Sequence, residues 1–417
     1  MLFDLQVIKD CKNQIWTYET DGSYVRDENG TLLNDFNVKS NIIKIVPFSE
    51  KENSHKYKTN LDVLEILLGY KCNYNCKYCS QKSIRTDSAD FTPKHVDQFI
   101  EKLKKSNITT KSIQLWGGEP LVYWKTIKVL VPKLRELYPK CILNFVTNGS
   151  LLTKEIIDFC KETHMSFSIS HDGEDNTDRT TDDILDDEEI IETIKYAINT
   201  LPEGRISIKP TITNKNADIK SLIKFFERKI DPRIIVLCNN VVVTHNAKDL
   251  NCRMMCSINE SNKKMVSESI FEILNNVSPK DKAFCGLRDN VINSMVHHAT
   301  LDNIVGECSQ GVGDSLTVDV NGNILKCHTF GVNTVCGSID DLENAKIIGH
   351  THFTNRLTDC KNCPVVHSCK GGCTGLDNNA HKLSCPNYYA MHYGYFKSAI
   401  ATLFGAYLLD IKQHENR

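Results

Sequence analysis

The sequence predicts an α/β protein: a partial (β/α)6 barrel with a small β-rich N-terminal extension and a C-terminal cysteine-rich domain. Between residues 61 and 245, six short apolar segments alternate with amphipathic segments, as parallel strands alternate with the helices that cover them. Residues 305–390 differ: they are rich in glycine and hold eight cysteines. In parallel barrels the chemistry lies in the loops that follow the strands, so functional residues are expected there.

Each predicted strand is a short run of apolar, often β-branched residues, and each predicted helix has apolar residues three or four positions apart. The strands are predicted at residues 63–68, 112–116, 142–147, 165–170, 206–211 and 234–243. The helices are predicted at residues 94–105, 124–137, 154–162, 188–201 and 218–228. The acidic run 182–189 is interpreted as the start of the fourth helix, with Asp186 as its N-cap.

The rest of the chain divides into four further segments. Residues 1–60 are expected to form the β-rich extension, with a hairpin turn at Asn29-Gly30. Residues 246–304 are predicted to be a helical connector and residues 391–417 a C-terminal helix. The cysteine-rich segment 305–390 has few long periodic segments from which to build a core, so we expect metal sites to hold it together.

Composition and charge exclude several functional classes. Lys and Arg total 50 against 52 Asp and Glu, a net charge of −2, which gives no electrostatic footprint for nucleic acid or an anionic membrane. The first ten residues have no basic segment followed by an apolar core. The most apolar stretch, residues 398–409, is shorter than the roughly 18 residues that span a bilayer. The sequence therefore predicts a cytoplasmic protein that binds neither nucleic acid nor membrane.

The cysteines point to metal or redox chemistry. The chain has 18 of them without a secretion signal, and a reducing cytosol disfavours structural disulfides. Three of them, Cys72, Cys76 and Cys79, follow the first predicted strand with the spacing C-x3-C-x2-C. Three thiolates can hold three irons of a cubane cluster and leave the fourth iron open. A zinc site usually takes four protein ligands, and no fourth lies nearby in the sequence, so the spacing favours iron and sulfur.

This loop, with Tyr78 beside its last cysteine, resembles the cluster-binding motif of the radical S-adenosylmethionine (SAM) superfamily. The resemblance implies a [4Fe-4S] cluster whose open iron chelates the amino and carboxylate groups of SAM. It also implies that Tyr78 lies against the adenine of the cofactor. An external reductant such as flavodoxin or ferredoxin would be needed to reduce this cluster, because Fe–S potentials extend to about −700 mV.

Three further elements at predicted strand ends resemble parts of the same superfamily. Gly117 and Gly118 permit a close backbone approach, and Glu119 beside them carries a carboxylate that can bind an ammonium group. The resemblance implies that this Gly-Gly-Glu element contacts the amine of SAM. It likewise implies that Ser170 binds the ribose hydroxyls and that Arg179 contacts the cofactor.

The C-terminal cysteines have the spacing Cys308-x13-Gly322-x4-Cys327, then Cys360-x2-Cys363-x5-Cys369-x3-Cys373, then Cys385. This spacing resembles the seven-cysteine extension called SPASM, which follows radical barrels that modify peptides and proteins. A zinc ribbon would need two C-x2-C arms, and among these C-terminal cysteines only Cys360 and Cys363 form one. The resemblance implies two auxiliary [4Fe-4S] clusters, an inner one held by Cys308, Cys327 and Cys373 and an outer one held by Cys360, Cys363, Cys369 and Cys385. Relatives often supply one more thiolate upstream; here either Cys285 reaches the inner cluster or one iron stays open.

The resemblance implies an enzyme that generates a 5′-deoxyadenosyl radical and uses the auxiliary clusters for an oxidative reaction. The leading interpretation is that it forms a thioether or carbon–carbon crosslink in a ribosomally made peptide. One alternative is formylglycine formation on a sulfatase, but in those maturases an Asp follows the second SPASM cysteine, and here His328 does. Another is an electron carrier without catalysis, which would have no use for Tyr78 or the Gly-Gly-Glu element.

Overall fold

The N-terminal residues form a small antiparallel sheet. The computed structural model describes residues 1–36, 57–84, 90–276, 282–301, 313–329, 334–346 and 360–414. Strands β1 (Leu2–Lys9), β2 (Lys12–Glu19) and β3 (Tyr24–Arg26) pair in sequence order. Burial alternates along β1, whose apolar residues face a separate core. At the turn predicted around Gly30, a single bridge joins Arg26 to Leu32.

Six parallel strands follow and confirm the predicted α/β class. They are β4 (Asn60–Leu67), β5 (Thr109–Trp116), β6 (Ile142–Thr147), β7 (Met165–Ile169), β8 (Ile206–Ile208) with its continuation β9 (Thr211–Ile212), and β10 (Ile235–Val236) with its continuation β11 (Asn240–Val241). The main sheet has the order β10-β8-β7-β6-β5-β4, and β9 pairs in parallel with β11. Because the strands run in parallel, their C-terminal ends meet at one edge.

Helices lie between successive strands as the periodicity predicts. They are α1 (Val96–Lys105), α2 (Trp124–Leu137), α3 (Lys154–Glu162), α4 (Glu188–Thr200) and α5 (Ile219–Lys229). The acidic run starts α4, although its N-cap is Asp187, one residue after the predicted Asp186; the Asp187 carboxylate accepts bonds from the amides of Glu189 and Ile190. Three further helices, α6 (Leu250–Met255), α7 (Glu260–Asn275) and α8 (Lys282–Val296), lie where the connector is predicted.

The cysteine-rich segment extends the barrel sheet on the β4 side. Strand β12 (Ser315–Val318) pairs in parallel with β4, and β13 (Asn323–Leu325) and β14 (Val335–Ser338) continue the sheet with antiparallel pairing. Cys327 lies two residues after β13. The extension therefore places this cysteine two strands from β4, the strand that precedes the C-x3-C-x2-C loop.

The C-terminus corrects one prediction. A long helix, α9 (Asn378–Phe404), ends at Gly405, whose positive φ of 61° suits a helix C-cap. The predicted helix over 391–417 is therefore wrong over Tyr407–Gln413, because these residues form strand β15, which pairs antiparallel with β1. Positions 415–417 of that prediction lie outside the described residues. The periodicity did not reveal this strand because its partner lies at the other end of the chain. Among the described helices, none is both long and apolar enough to cross a membrane.

Candidate active site at the mouth of the barrel

A cavity of about 610 Å3 lies at the C-terminal ends of the parallel strands. It is lined by loops that follow different strands, and it also reaches the cysteine-rich segment. The predicted cluster and cofactor residues of the barrel all line it: Cys72, Cys76, Tyr78, Cys79, Gly117, Gly118, Glu119, Ser170 and Arg179. The structure thus brings together residues spread over more than a hundred positions. Their roles toward a cluster and SAM remain predictions.

The three cysteines after β4 share a short, half-buried loop. The amide of Cys79 donates to the carbonyl of Cys76 over 3.2 Å. Burial raises the pKa of Cys76 to about 11; the positive charge of Arg179 lowers it, and the neighbouring thiols of Cys79 and Cys72 raise it further. A thiol whose pKa is raised by neighbouring thiols is stabilised as a thiolate when a cation binds beside it, so this donor set fits three irons of a cubane.

The described residues contain no group of three or more His, Cys, Asp or Glu side chains arranged around one point, as a site for a single metal ion would need. The cluster assigned to the three cysteines therefore remains a prediction from their sequence spacing.

The two glycines after β5 allow this loop to pack on the cysteine loop. The amide of Gly118 donates to the Gly69 carbonyl over 3.0 Å, and the amide of Glu119 donates to the Lys71 carbonyl over 2.8 Å. A Cβ on Gly118 would lie only 2.4 Å from the carbonyl oxygen of Tyr70. Any larger residue would push the cysteine loop away, so the close approach that Gly118 permits is between two stretches of backbone.

Glu119 is a buried carboxylate that ties the end of β5 to the end of β6. Its Oε1 accepts from the Leu121 amide at 3.0 Å and the Thr147 hydroxyl at 2.6 Å, and its Oε2 accepts from the Asn148 amide at 2.6 Å. Burial raises the pKa of Glu119 to about 6, although the three hydrogen bonds oppose this shift. The carboxylate has a further lone pair available and lines the cavity, as an ammonium-binding group must.

We expect Glu119→Gln to weaken SAM binding without loss of iron. The amide keeps the shape of the side chain and one acceptor oxygen but removes the charge, which costs about 1.5–3 kcal/mol in a charge-assisted contact. SAM affinity of the reconstituted protein, measured by equilibrium dialysis, should fall on the order of tenfold to a hundredfold. In the wild type, affinity should also fall as the pH drops through about 6, where the Glu119 carboxylate becomes protonated.

The matched control for this substitution is Thr147→Val. It removes one hydrogen bond to the same carboxylate and leaves the charge in place. We expect its SAM affinity to stay near that of the wild type. An equal loss in both variants would mean that Glu119 acts only by holding the loop.

Tyr78 and Arg179 are joined around a buried carboxylate that sequence reasoning missed. The Arg179 Nε lies 2.9 Å from Asp172 Oδ1, and the Tyr78 hydroxyl contacts Asp172 Oδ2. The guanidinium of Arg179 also lies over the Tyr78 ring, 5.4 Å from its centroid. Burial raises the pKa of Tyr78, while Arg179 opposes this shift. Asp172 therefore fixes two residues predicted to contact the cofactor; its place just after β7 is the signal that could have identified it.

The C-terminal cysteines separate into two places, as far as the structure describes them. Burial raises the pKa of Cys363 to about 12, and the nearby thiols of Cys385 and Cys360 raise it further, so three of the cysteines predicted for the outer cluster are neighbours. The fourth, Cys369, ends the helical turn Val366–Cys369. Cys373, predicted for the inner cluster, lines the barrel cavity.

The other cysteines predicted for the inner cluster are less fully described. Cys308 lies outside the described residues. Cys285 lies on α8, and Leu287 of the same helix lines the cavity. Cys327 follows β13 and adjoins His328, another residue of the cavity wall. The proposal that Cys285 is a further ligand of the inner cluster remains a prediction.

His328 is held firmly in the cavity wall. Its ring stacks on Trp116 with centroids 3.9 Å apart and an angle of 7° between the planes. Its Nδ1 lies 2.9 Å from Glu65 Oε2, which also accepts a 2.6 Å bond from the Thr317 hydroxyl. Burial would lower the pKa of His328, but the negative charges of Cys327 and Glu65 raise it. Glu65 was not predicted as a site residue because it lies inside an apolar strand.

Comparison with protein families matches residues 66–226 to the radical SAM superfamily. Among curated proteins, the radical SAM cyclopropyl synthase TigE of Paramaledivibacter caminithermalis is 26% identical over 361 residues, which cover 78% of this chain and 71% of TigE. An uncharacterized protein of Methanocaldococcus jannaschii is 25% identical over 292 residues, which cover 66% of this chain and 88% of that protein.

Two solved structures share the fold. Native anSMEcpe with bound AdoMet and Cp18Cys peptide superposes with a TM-score of 0.59 at 18% identity, covering 82% of this chain and 98% of that chain. Streptococcus suis SuiB bound to precursor peptide SuiA superposes with a TM-score of 0.51 at 17% identity, covering 84% of each chain. At these identities the likeness establishes the fold.

Proposed function

Since the chain is an enzyme with a radical SAM domain over residues 66–226, we propose that it oxidatively modifies a ribosomally made peptide. The modification would be a thioether or a carbon–carbon crosslink. The electron for each turnover would come from flavodoxin or ferredoxin.

The observation that carries this proposal is the composition of the cavity. One continuous wall includes the cysteine loop after β4 together with His328 and Cys373 of the C-terminal segment. A substrate in this cavity would therefore meet both cysteine sets. Its volume of about 610 Å3 is in the range of small-molecule sites. The cluster, the cofactor and one substrate side chain would share this cavity, with the rest of a peptide outside.

The residues of the chain would act mainly by holding and orienting. Cys72, Cys76 and Cys79 would hold the radical-generating cluster. When bound, this cluster and SAM supply a 5′-deoxyadenosyl radical that removes hydrogen from an unactivated C–H bond. Glu119 would accept the ammonium group of SAM and Tyr78 would lie against its adenine. An oxidised product also requires an acceptor for a second electron; Cys327, Cys373 and Cys308 would hold it, and the outer cysteines would hold a second auxiliary cluster.

Two of the similar proteins support this proposal, and a third supports an alternative. SuiB is bound to a precursor peptide in its structure, and TigE is named a cyclopropyl synthase, which implies carbon–carbon bond formation. The likeness to anSMEcpe with its cysteine peptide favours formylglycine formation as a second candidate. The residue after Cys327 weighs against that candidate, because it is His328, an imidazole stacked on Trp116 and paired with Glu65.

We expect the reconstituted enzyme, with SAM and dithionite, to convert a short peptide encoded beside its gene to a product two hydrogens lighter per crosslink. Tandem mass spectrometry should show no fragmentation between the linked residues. The control omits SAM. A cysteine peptide of the sulfatase type, assayed in parallel, should stay unmodified. An aldehyde captured by a hydrazide in that peptide, with the first peptide unchanged, would favour formylglycine formation and contradict the proposal.

A further inference from the structure

Two basic side chains of the cavity wall have no role in the site as described. Lys209 follows β8, and His245 follows β11; both line the cavity. Within the part of the chain that the structure describes, neither side chain has a hydrogen bond or an ion pair. Other lysines at this end of the barrel are paired: Lys77 and Lys215 both reach Asp178, at 2.9 and 3.3 Å.

The surroundings of these two groups favour an incoming anion. Burial lowers the pKa of Lys209, and it lowers the pKa of His245 to about 4, with no carboxylate to oppose either shift. A basic group that is withdrawn from water without a counter-ion is destabilised, and an anion that enters beside it relieves the cost. The other charged groups of the wall have partners of their own: Arg179 is paired with Asp172, His328 is paired with Glu65, and Glu119, which accepts three hydrogen bonds, is assigned to the ammonium group of SAM.

Their strands lie at the other end of the sheet from β4, although Thr211, two residues after Lys209, accepts a 3.2 Å bond from Arg179, which lies over Tyr78 of the cysteine loop. In the order β10-β8-β7-β6-β5-β4, the strands that carry Lys209 and His245 lie at one end of the parallel sheet and β4 lies at the other. Tyr388 and Met391 of α9 complete the wall that they share. Glu119, the proposed partner of the SAM amine, follows β5, next to β4. An anion at Lys209 and His245 would therefore lie at least three strands along the sheet from β5, the strand that carries Glu119.

We propose that Lys209 and His245 bind a carboxylate of the substrate, so that the modified peptide carries Asp, Glu or a free C-terminus beside the reacting residue. This inference rests on the proposed function and defines the chemical class of its substrate. The methionine part of SAM is the other source of a carboxylate in this cavity, and the experiment distinguishes the two.

The test uses the full-length, anaerobically reconstituted enzyme loaded with SAM and immobilised. Two pools of short random peptides, one amidated and one with a free C-terminus, are passed over it, and the bound peptides are sequenced by mass spectrometry. The variants are Lys209→Met with His245→Leu, which removes both basic groups, and Lys209→Glu. The control is Lys111→Met, which removes an exposed lysine at the start of β5. SAM affinity, iron content and the unfolding temperature are measured for every protein.

We expect the wild type and the control to enrich acidic peptides or free C-termini about tenfold or more over the input, because these peptides gain one charge-assisted contact that the others lack. The double variant should lose this enrichment and keep its SAM affinity within about twofold, and Lys209→Glu should enrich Lys and Arg instead. Enrichment that survives in the folded double variant overturns the inference. A tenfold loss of SAM affinity in the double variant, with peptide enrichment unchanged, also overturns the inference, because Lys209 and His245 would then bind SAM. A wild-type protein that holds no iron and binds no SAM would contradict the proposed function. This result is measured separately from peptide enrichment, so the two failures can be distinguished.

Discussion

Replacing Cys72, Cys76 and Cys79 together by alanine is expected to remove about four of roughly twelve irons per chain and to abolish cleavage of SAM. The three thiols share one half-buried loop, and those of Cys79 and Cys72 raise the pKa of Cys76, as neighbouring ligands of one cluster would. Loss of the cluster removes the only proposed route for an electron into SAM. Iron by colorimetric assay and 5′-deoxyadenosine by liquid chromatography measure the two effects.

A matched variant separates loss of ligands from loss of thiols in general. Cys141→Ala with Cys160→Ala removes two buried thiols that pack in the hydrophobic core. Each change should cost stability by leaving a small cavity, while iron content and SAM cleavage stay at the wild-type level. Stoichiometric zinc and no iron in the wild type would contradict the iron–sulfur assignment itself, and with it the proposed chemistry.

The barrel was predictable because its signals are local. Each strand is a short apolar run, and each functional loop directly follows one, so the sequence indicated both the strands and the edge where Cys72, Glu119 and Ser170 meet. Gly118 was recognised as a position of close approach, but its neighbour proved to be the backbone of the cysteine loop. The N-cap of α4 differed by one residue, since Asp186 and Asp187 are equivalent by type.

The features that were missed depend on partners distant in the chain. Residues 407–413 form a strand because β1, some four hundred residues earlier, offers an unpaired edge. Glu65 lies in an apolar strand, and only the structure shows it facing Thr317 and His328. Asp172 was unassigned until Tyr78 and Arg179 were seen to converge on it. Long-range pairing leaves little trace in a single sequence.

Replacing Cys327 and Cys373 together by alanine is expected to abolish the crosslinked peptide while SAM cleavage continues. Cys373 lines the barrel cavity, and Cys327 adjoins His328 of the same wall, so both lie at the cavity in which a substrate would be held. The cysteine loop after β4 is untouched, so cleavage of SAM should persist. Iron content should fall by about four per chain. Peptide mass measures the product, and 5′-deoxyadenosine measures the uncoupled cleavage.

The control for this last variant is Cys336→Ala, on β14 in the same C-terminal segment but outside both predicted ligand sets. Its iron content and product yield should match the wild type. In the double variant, uncoupled cleavage without product would separate radical generation from the oxidation that completes the reaction, because only the second step needs an electron acceptor beside the substrate. Full conversion to the lighter peptide with four fewer irons would show that the inner cysteines serve structure alone, and the oxidative role proposed for them would then be wrong.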